Sequence, residues 1–267
     1  AEPGEVMGDT ITNFWRDANN PRGIWRQSPL DAYLAGKPVW TTLIDVDALG
    51  KAEKQSWVWH GADCLAPDYK RCLVSVSPGG TDADIVREWD RTTKSFVKDG
   101  FTLPQAKSSV TWENADALLV ATDYGKDSMT ASGYPRIVKR WKRGTPLSAA
   151  ETLVEGDASD VGMGVFAFTD GGKRWPMISR NKTFYTSDIY LPGLDGTSYH
   201  TTIVPDTGDI RAVIDGQAIV FLNQDFGTPL RIQAKNQITR LWEHIKRGGT
   251  YTDMVVTLQL ATRTKTV

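Results

Sequence analysis

Trp57-Val58-Trp59-His60-Gly61-Ala62-Asp63 and Thr111-Trp112-Glu113-Asn114-Ala115-Asp116 share one local grammar. Each is an aromatic strand that runs into a turn marked by Asp or Asn, whose short side chains bond back to their own backbone. Each precedes a second strand, ending near Ser75 or Thr122. An outer pair then carries Val86-Arg87-Glu88-Trp89 or Val138-Lys139-Arg140-Trp141. The two closing tryptophans stand 52 positions apart. Paired strands recurring every ~40–50 residues, four to the unit, predict the blades of a β-propeller. A β-sandwich built from similar hairpins is the competing architecture.

Outward from these segments the chain reads as short strands punctuated by turn residues. Thr10–Arg16 and Gly23–Gln27 flank Asn19-Asn20-Pro21, a hairpin pattern. Trp40–Val46 follows, then a polar stretch of helical composition near Ala48–Lys54. Later strands are expected at Ala117–Thr122, Arg136–Trp141, Gly162–Thr169, Thr183–Tyr190, Ser198–Val204 and Gln217–Leu222, among others. The fold class is therefore all-β, with about four to five four-stranded antiparallel sheets over residues 1–228. Residues 229–267 read as a divergent tail. There Ile238, Leu241, Trp242 and Ile245 fall on one face of an amphipathic helix at Gln237–Lys246, stopped by Gly248-Gly249 and followed by a strand at Met254–Leu260. The tail carries a balance of +5 and the preceding part −6, so a basic docking face competes with a merely solvated one.

Bulk numbers narrow the function classes. Net charge is −1 over 267 residues, which offers no electrostatic case for nucleic acid or an anionic membrane. The longest apolar runs, such as Ala117–Ala121, are far too short to span a bilayer as a helix. Ten tryptophans suit sheets stacked face to face, since indole buries a large apolar area. Two cysteines, Cys64 and Cys72, make no disulfide framework. Two reduced, half-buried strand residues are the expectation, with a bridge closing that hairpin as the alternative. The compartment stays open between cytoplasm and periplasm.

Chemistry-bearing motifs are scarce. A hydrolase nucleophile sits on a tight Gly-x-Ser-x-Gly elbow. The nearest approach is Gly196-Thr197-Ser198-Tyr199-His200, where Ser198 and His200 share one side of a strand. His60, Cys64 and Cys72 offer at most three metal ligands at an unfamiliar spacing, and His244 stands apart in the tail. Ser77-Pro78-Gly79-Gly80-Thr81 lacks the lysine of a phosphate loop, and Gly171-Gly172-Lys173 reads as a turn. No catalytic, cofactor-binding or metal-binding residue is nominated, no cofactor is expected, and substrate-binding residues are unassigned.

Several strings carry a resemblance. These are Asn13-Phe14-Trp15-Arg16-Asp17 with Pro21-Arg22-Gly23-Ile24-Trp25-Arg26, then Pro67-Asp68-Tyr69 with Leu73-Val74-Ser75-Val76-Ser77-Pro78-Gly79-Gly80. Gly100 to Ser108, Ser132-Gly133-Tyr134-Pro135-Arg136 and Lys142-Arg143-Gly144-Thr145-Pro146-Leu147 continue it. From about Gly8 to Phe226 the chain resembles the propeller of prolyl-oligopeptidase-type serine peptidases. In that family a seven-bladed ring caps an α/β-hydrolase domain, and the Ser, Asp and His triad comes from that domain. The resemblance thus implies an incomplete set of blades, a hydrolase domain as partner, peptide substrates, and a substrate-gating role for a chain inert by itself. A stand-alone propeller that binds a protein or small ligand is the rival reading.

Overall fold

The computed structural model describes residues 4–193, 196–202 and 204–221, and the backbone of 255–259. Blade 1 holds β1 (Val6–Met7), β2 (Thr10–Trp15), β3 (Ile24–Pro29) and β4 (Thr41–Asp45). Blade 2 holds β5 (Trp57–Cys64), β6 (Arg71–Pro78), β7 (Asp84–Asp90) and an outer strand in two pieces, β8 (Ser95–Phe96) and β9 (Thr102–Ala106). Blade 3 runs through β10 (Ser109–Asn114), β11 (Ala117–Ala121), β12 (Ile137–Lys142) and β13 (Glu151–Glu155). Blade 4 runs through β14 (Gly162–Asp170), β15 (Lys173–Asn181), β16 (Ser187–Pro192) and β17 (Tyr199–Thr201). A fifth sheet contains β18 (Asp209–Ile214), β19 (Gln217–Phe221) and β20 (Val255–Gln259). Neighbours in every sheet are antiparallel and the four full blades are simple meanders.

The cores lie between blades rather than within them, which excludes the sandwich. Trp25, Leu43 and Val46 meet Trp57, Val74, Val76 and Trp89 between blades 1 and 2. Leu73, Phe101 and Leu103 meet Trp112, Leu118 and Trp141 between blades 2 and 3. Leu119, Ala121 and Val154 meet Met163, Val165 and Ile178 between blades 3 and 4. Trp175, Met177 and Ile189 meet Ile210, Val213 and Val220 beyond blade 4. The second strand of an inner blade therefore serves two cores by parity. On β11, Leu118 and Val120 face one neighbour while Leu119 and Ala121 face the other. That is why the run Ala117–Ala121 is apolar throughout instead of alternating. Each such large side chain contributes about 1.5–3 kcal/mol on burial.

Local chemistry sets the joints. α2 (Val46–Glu53) links blades 1 and 2; Asp45 caps it by accepting from the Ala48 amide at 2.9 Å, and Lys54 ends it with φ 54°. It starts two residues before the stretch of helical composition. α1 (Leu30–Leu34), which sequence reading did not anticipate, fills the β3–β4 connection. β8 and β9 both pair with β7 and are separated where Glu88 turns its carboxylate inward. Glu88 is fully buried and accepts from the Phe101 amide at 2.9 Å and from both Nη atoms of Arg143, at 2.9 and 3.1 Å. Arg143 belongs to blade 3, so this pair clamps two blades.

Two sequence expectations are corrected. The strand expected at Thr183–Tyr190 begins only at Ser187, because Thr183 and Thr186 bond to each other in a tight turn. Cys64 and Cys72 are not two reduced residues. The β5–β6 register sets them directly opposite each other, and they form a disulfide. The tail helix at Gln237–Lys246 lies outside the described residues; β20, within the expected Met254–Leu260, pairs with β19.

Four strands bring the chain back to the end where it entered a blade. One end of the array thus holds the inter-blade joints and the second-to-third-strand turns. The opposite end holds the remaining hairpin turns.

Candidate functional site

The first strands lie innermost, and two of them, with the start of a second strand, carry polar side chains to one shared cluster at the hairpin end. Asp63 is the penultimate residue of β5 in blade 2, Thr111 lies on β10 of blade 3, and Arg174 follows the Gly171-Gly172 turn of blade 4. Arg174 Nη2 donates to both Asp63 oxygens at 2.7 and 2.6 Å and approaches Thr111 Oγ1 at 2.7 Å. Its Nε donates to the Trp112 carbonyl at 2.9 Å. Thr111 Oγ1 donates to Asp63 Oδ2 at 2.8 Å, and the Trp112 indole donates to the Asp63 carbonyl at 2.9 Å. Three blades are tied through one carboxylate. Charge-assisted bonds of this kind are the strong ones.

Blade 1 adds Glu5. Solvent reaches its side chain, while neighbouring atoms crowd its carboxyl. That burial holds its carboxyl above the usual carboxylate range, reinforced by the Asp63 charge and opposed by Arg174 and Arg91. Arg91, from the β7–β8 turn, reaches back to blade 1, donating to Gln27 Oε1 at 2.6 Å and Thr10 Oγ1 at 3.0 Å. Burial lowers its guanidinium, with Glu5 and Asp9 opposing. This arrangement can hold blades 1 to 4 in register at that end.

A groove of about 910 Å3 opens between blades 3 and 4 at the same end. Glu113, the extra residue of a bulge in β10, takes a two-pronged contact from Arg140 at 2.6 and 2.7 Å and a third bond from Tyr199 Oη at 3.0 Å. Burial, then Glu113, pushes the Tyr199 phenol up, and the Glu113 bond raises Arg140. Arg140 also donates to the Thr197 carbonyl at 2.9 Å. With its polar atoms so engaged, this trio braces the groove wall.

The residues singled out from sequence fall elsewhere. Ser198 Oγ and His200 Nε2 do meet, at 2.8 Å, but on the exposed outer edge of blade 4 beside β17. His60 is the extra residue of a bulge in β5, with its Nδ1 2.6 Å from Asp84 Oδ1. Burial raises the Asp84 carboxyl and His60 opposes that. The cysteines are committed to each other, so His60, Cys64 and Cys72 cannot gather as ligands. Ser77–Thr81 is a turn in which Ser77 Oγ donates to the Thr81 carbonyl at 2.7 Å, and Gly171-Gly172 is the β14–β15 turn. His244 lies outside the described residues. No helix among the described residues is long and apolar enough to cross a membrane. Sequence reasoning missed Asp63 and Arg174 as partners, since 111 positions separate them and neither sits in a motif.

The sequence matches the family described as prolyl oligopeptidase, N-terminal β-propeller domain, over residues 7–234. It is 37% identical over 230 residues to an uncharacterized peptidase, y4nA, of Sinorhizobium fredii, covering 85% of this chain and 32% of that protein. An uncharacterized peptidase of Rickettsia prowazekii, RP174, is 33% identical over 198 residues, covering 70% and 27%. Among solved structures, a post-proline cleaving enzyme from Rickettsia typhi superposes with TM-score 0.75 at 26% identity, over 96% of this chain and 39% of that one. The β-propeller domain of the trilobed protease from Pyrococcus furiosus shares the fold at TM-score 0.51 and 12% identity. The chain spans about a third of the length of its curated relatives.

Proposed function

The chain belongs to the prolyl oligopeptidase family, of which it carries the propeller portion, and from that premise we propose that it walls and filters substrate access to an α/β-hydrolase domain, breaking no bonds itself. Its substrates are peptides and its partner is that domain. The observation that carries this reading is the inter-blade cluster: Asp63, Thr111 and Arg174 come from three different blades and bond to one another, so the spacing of those blades at that end depends on one set of side chains.

Acyl transfer needs an activated nucleophile, a base within reach and oxyanion donors. Ser198 and His200 have the first contact only: they stand on a solvent-exposed strand edge, and among the described residues no carboxylate is bonded to His200. Filtering, in contrast, needs rigid walls, which the inter-blade cores and the Asp63–Arg174 pair supply. Assaying the chain with a chromogenic proline-linked substrate and an active-site serine probe tests the inert half. Neither turnover nor labelling is expected, and turnover abolished by Ser198→Ala would overturn it. For the filtering half, Asp63→Ala in a peptidase carrying this propeller should raise kcat/KM for long peptides relative to short ones. An unchanged ratio argues against it.

A further inference from the structure

Phe184 and Tyr185 occupy the tip of the β15–β16 turn at the inter-blade end, and their exposures of 87% and 88% exceed those of every other large apolar side chain described. Hydrogen bonds order the turn that presents them. Thr183 Oγ1 accepts from the Tyr185 and Thr186 amides at 3.1 and 3.0 Å, and the Lys182 amide donates to the Thr186 carbonyl at 3.0 Å. Two rings held in water by an ordered turn call for a ligand.

They stand over a groove of about 680 Å3 between blade 4 and the fifth sheet. Its floor includes Phe166 and Phe168, packed edge to face at 5.7 Å. Asp206 and Asp209 form the far wall, and none of the residues lining it is Lys or Arg. Lys182 does neutralise part of this charge, yet it is shared between Asp188 at 2.9 Å and Asp206 at 3.1 Å, while Asp209 pairs with Arg211. Over Asp188, Asp206 and Asp209 against Lys182 and Arg211 the local balance is −1, although Asp188 itself does not line the groove.

This protein elsewhere covers its aromatic faces with its own cations. Of the four exposed rings described, Tyr134 lies under Lys107 at 4.4 Å and Phe221 under Arg211 at 5.8 Å. Among the described residues no cation covers Phe184, Tyr185, Phe166 or Phe168. Open π faces beside a wall of carboxylates are the chemistry that recognises an ammonium or guanidinium.

We propose that the groove between blade 4 and the fifth sheet binds a peptide segment bearing Lys or Arg, with the cationic head over Phe184 and Tyr185 and the aliphatic stem along Phe166 and Phe168. The site stands apart from the filtering role, because the chain alone presents it.

The test is calorimetric titration of the chain with a capped hexapeptide alternating lysine and alanine, against counterparts with norleucine or glutamate in place of lysine. The lysine peptide should bind best and lose affinity as salt rises. Phe184→Ser with Tyr185→Ser should weaken it roughly fivefold to thirtyfold, the worth of two exposed cation–π contacts. Tyr134→Ser should leave it unchanged. Both altered side chains are surface ones, so the circular dichroism spectrum should stay as it is, which separates lost binding from lost fold. Norleucine bound as tightly as lysine, glutamate bound equally, an unaffected double variant, or no heat from the lysine peptide would each overturn the proposal.

Discussion

Removing Arg143 should loosen the seam between blades 2 and 3. Glu88 is fully buried, whereas Arg143 and Arg71 are 32% and 41% exposed. In the Arg143→Ala chain the Glu88 carboxylate loses its two-pronged partner and keeps the Phe101 amide at 2.9 Å and Arg71 at 3.4 Å. The Ala115 carbonyl also loses two bonds, at 2.8 and 3.1 Å. Breaking a buried pair from one side costs about 3–5 kcal/mol, because a charge is left desolvated. The remaining partners of Glu88 reduce this to about 2–4 kcal/mol. With a urea slope near the top of the usual range, about 3 kcal/mol/M, the midpoint should fall by about 1 M. Glu88→Gln removes the buried charge and frees an arginine that water already reaches, so it should cost less. Combining the two changes should recover about 1 kcal/mol or more relative to their sum. The assay is urea unfolding of the four chains followed by tryptophan fluorescence. A shift under about 0.3 M for Arg143→Ala, or strict additivity in the double variant, would refute the clamp.

Leu118→Ala and Leu119→Ala should each cost about 2–5 kcal/mol. Although adjacent in sequence, they open cavities in different cores, so the double variant should be additive in denaturant midpoints; strong coupling would mean one shared core. Cys64→Ser removes a link across a separation of 8 residues and should cost about 2–3 kcal/mol. Reductant should bring the native chain to the same melting temperature, and a melt indifferent to reductant would contradict the disulfide. Glu5 has a raised folded pKa, so its contribution is present below the unfolded carboxylate range and lost as pH rises through the folded value. Glu5→Gln should therefore melt higher at pH 7, with the gain vanishing below about pH 4. A variant melting lower at pH 7 would reverse the assignment.

What sequence could reveal here followed the range of the interaction. Trp89 and Trp141 mark the third strands of adjacent blades, each against an aromatic edge, Phe96 or Phe101, so their recurrence reported the architecture. Strand periodicity and turn residues are local, and most elements fell where they point. The disulfide needed the β5–β6 register, which depends on the bulge at His60. β9 was hidden because its partner strand is also paired to β8. The Asp63–Arg174 contact and the Glu88–Arg143 clamp join different blades, and no spacing rule within a blade announces them. Phe184 and Tyr185 were read as strand residues, as aromatic content alone suggests; the Thr183–Thr186 bonds overrode that preference.

The parity of β6, β11 and β15 constrains how relatives of this chain can differ in length. One residue gained inside β11 would exchange the side chains sent to its two neighbours, placing Leu119 where Leu118 belongs, and would disturb two cores at once. The same insertion at Ala115-Asp116, in the turn before that strand, would lengthen a solvent-facing hairpin and leave both cores intact. Lineages should therefore accumulate insertions and deletions in the turns and joints, or exchange whole blades, while second strands drift only by substitution.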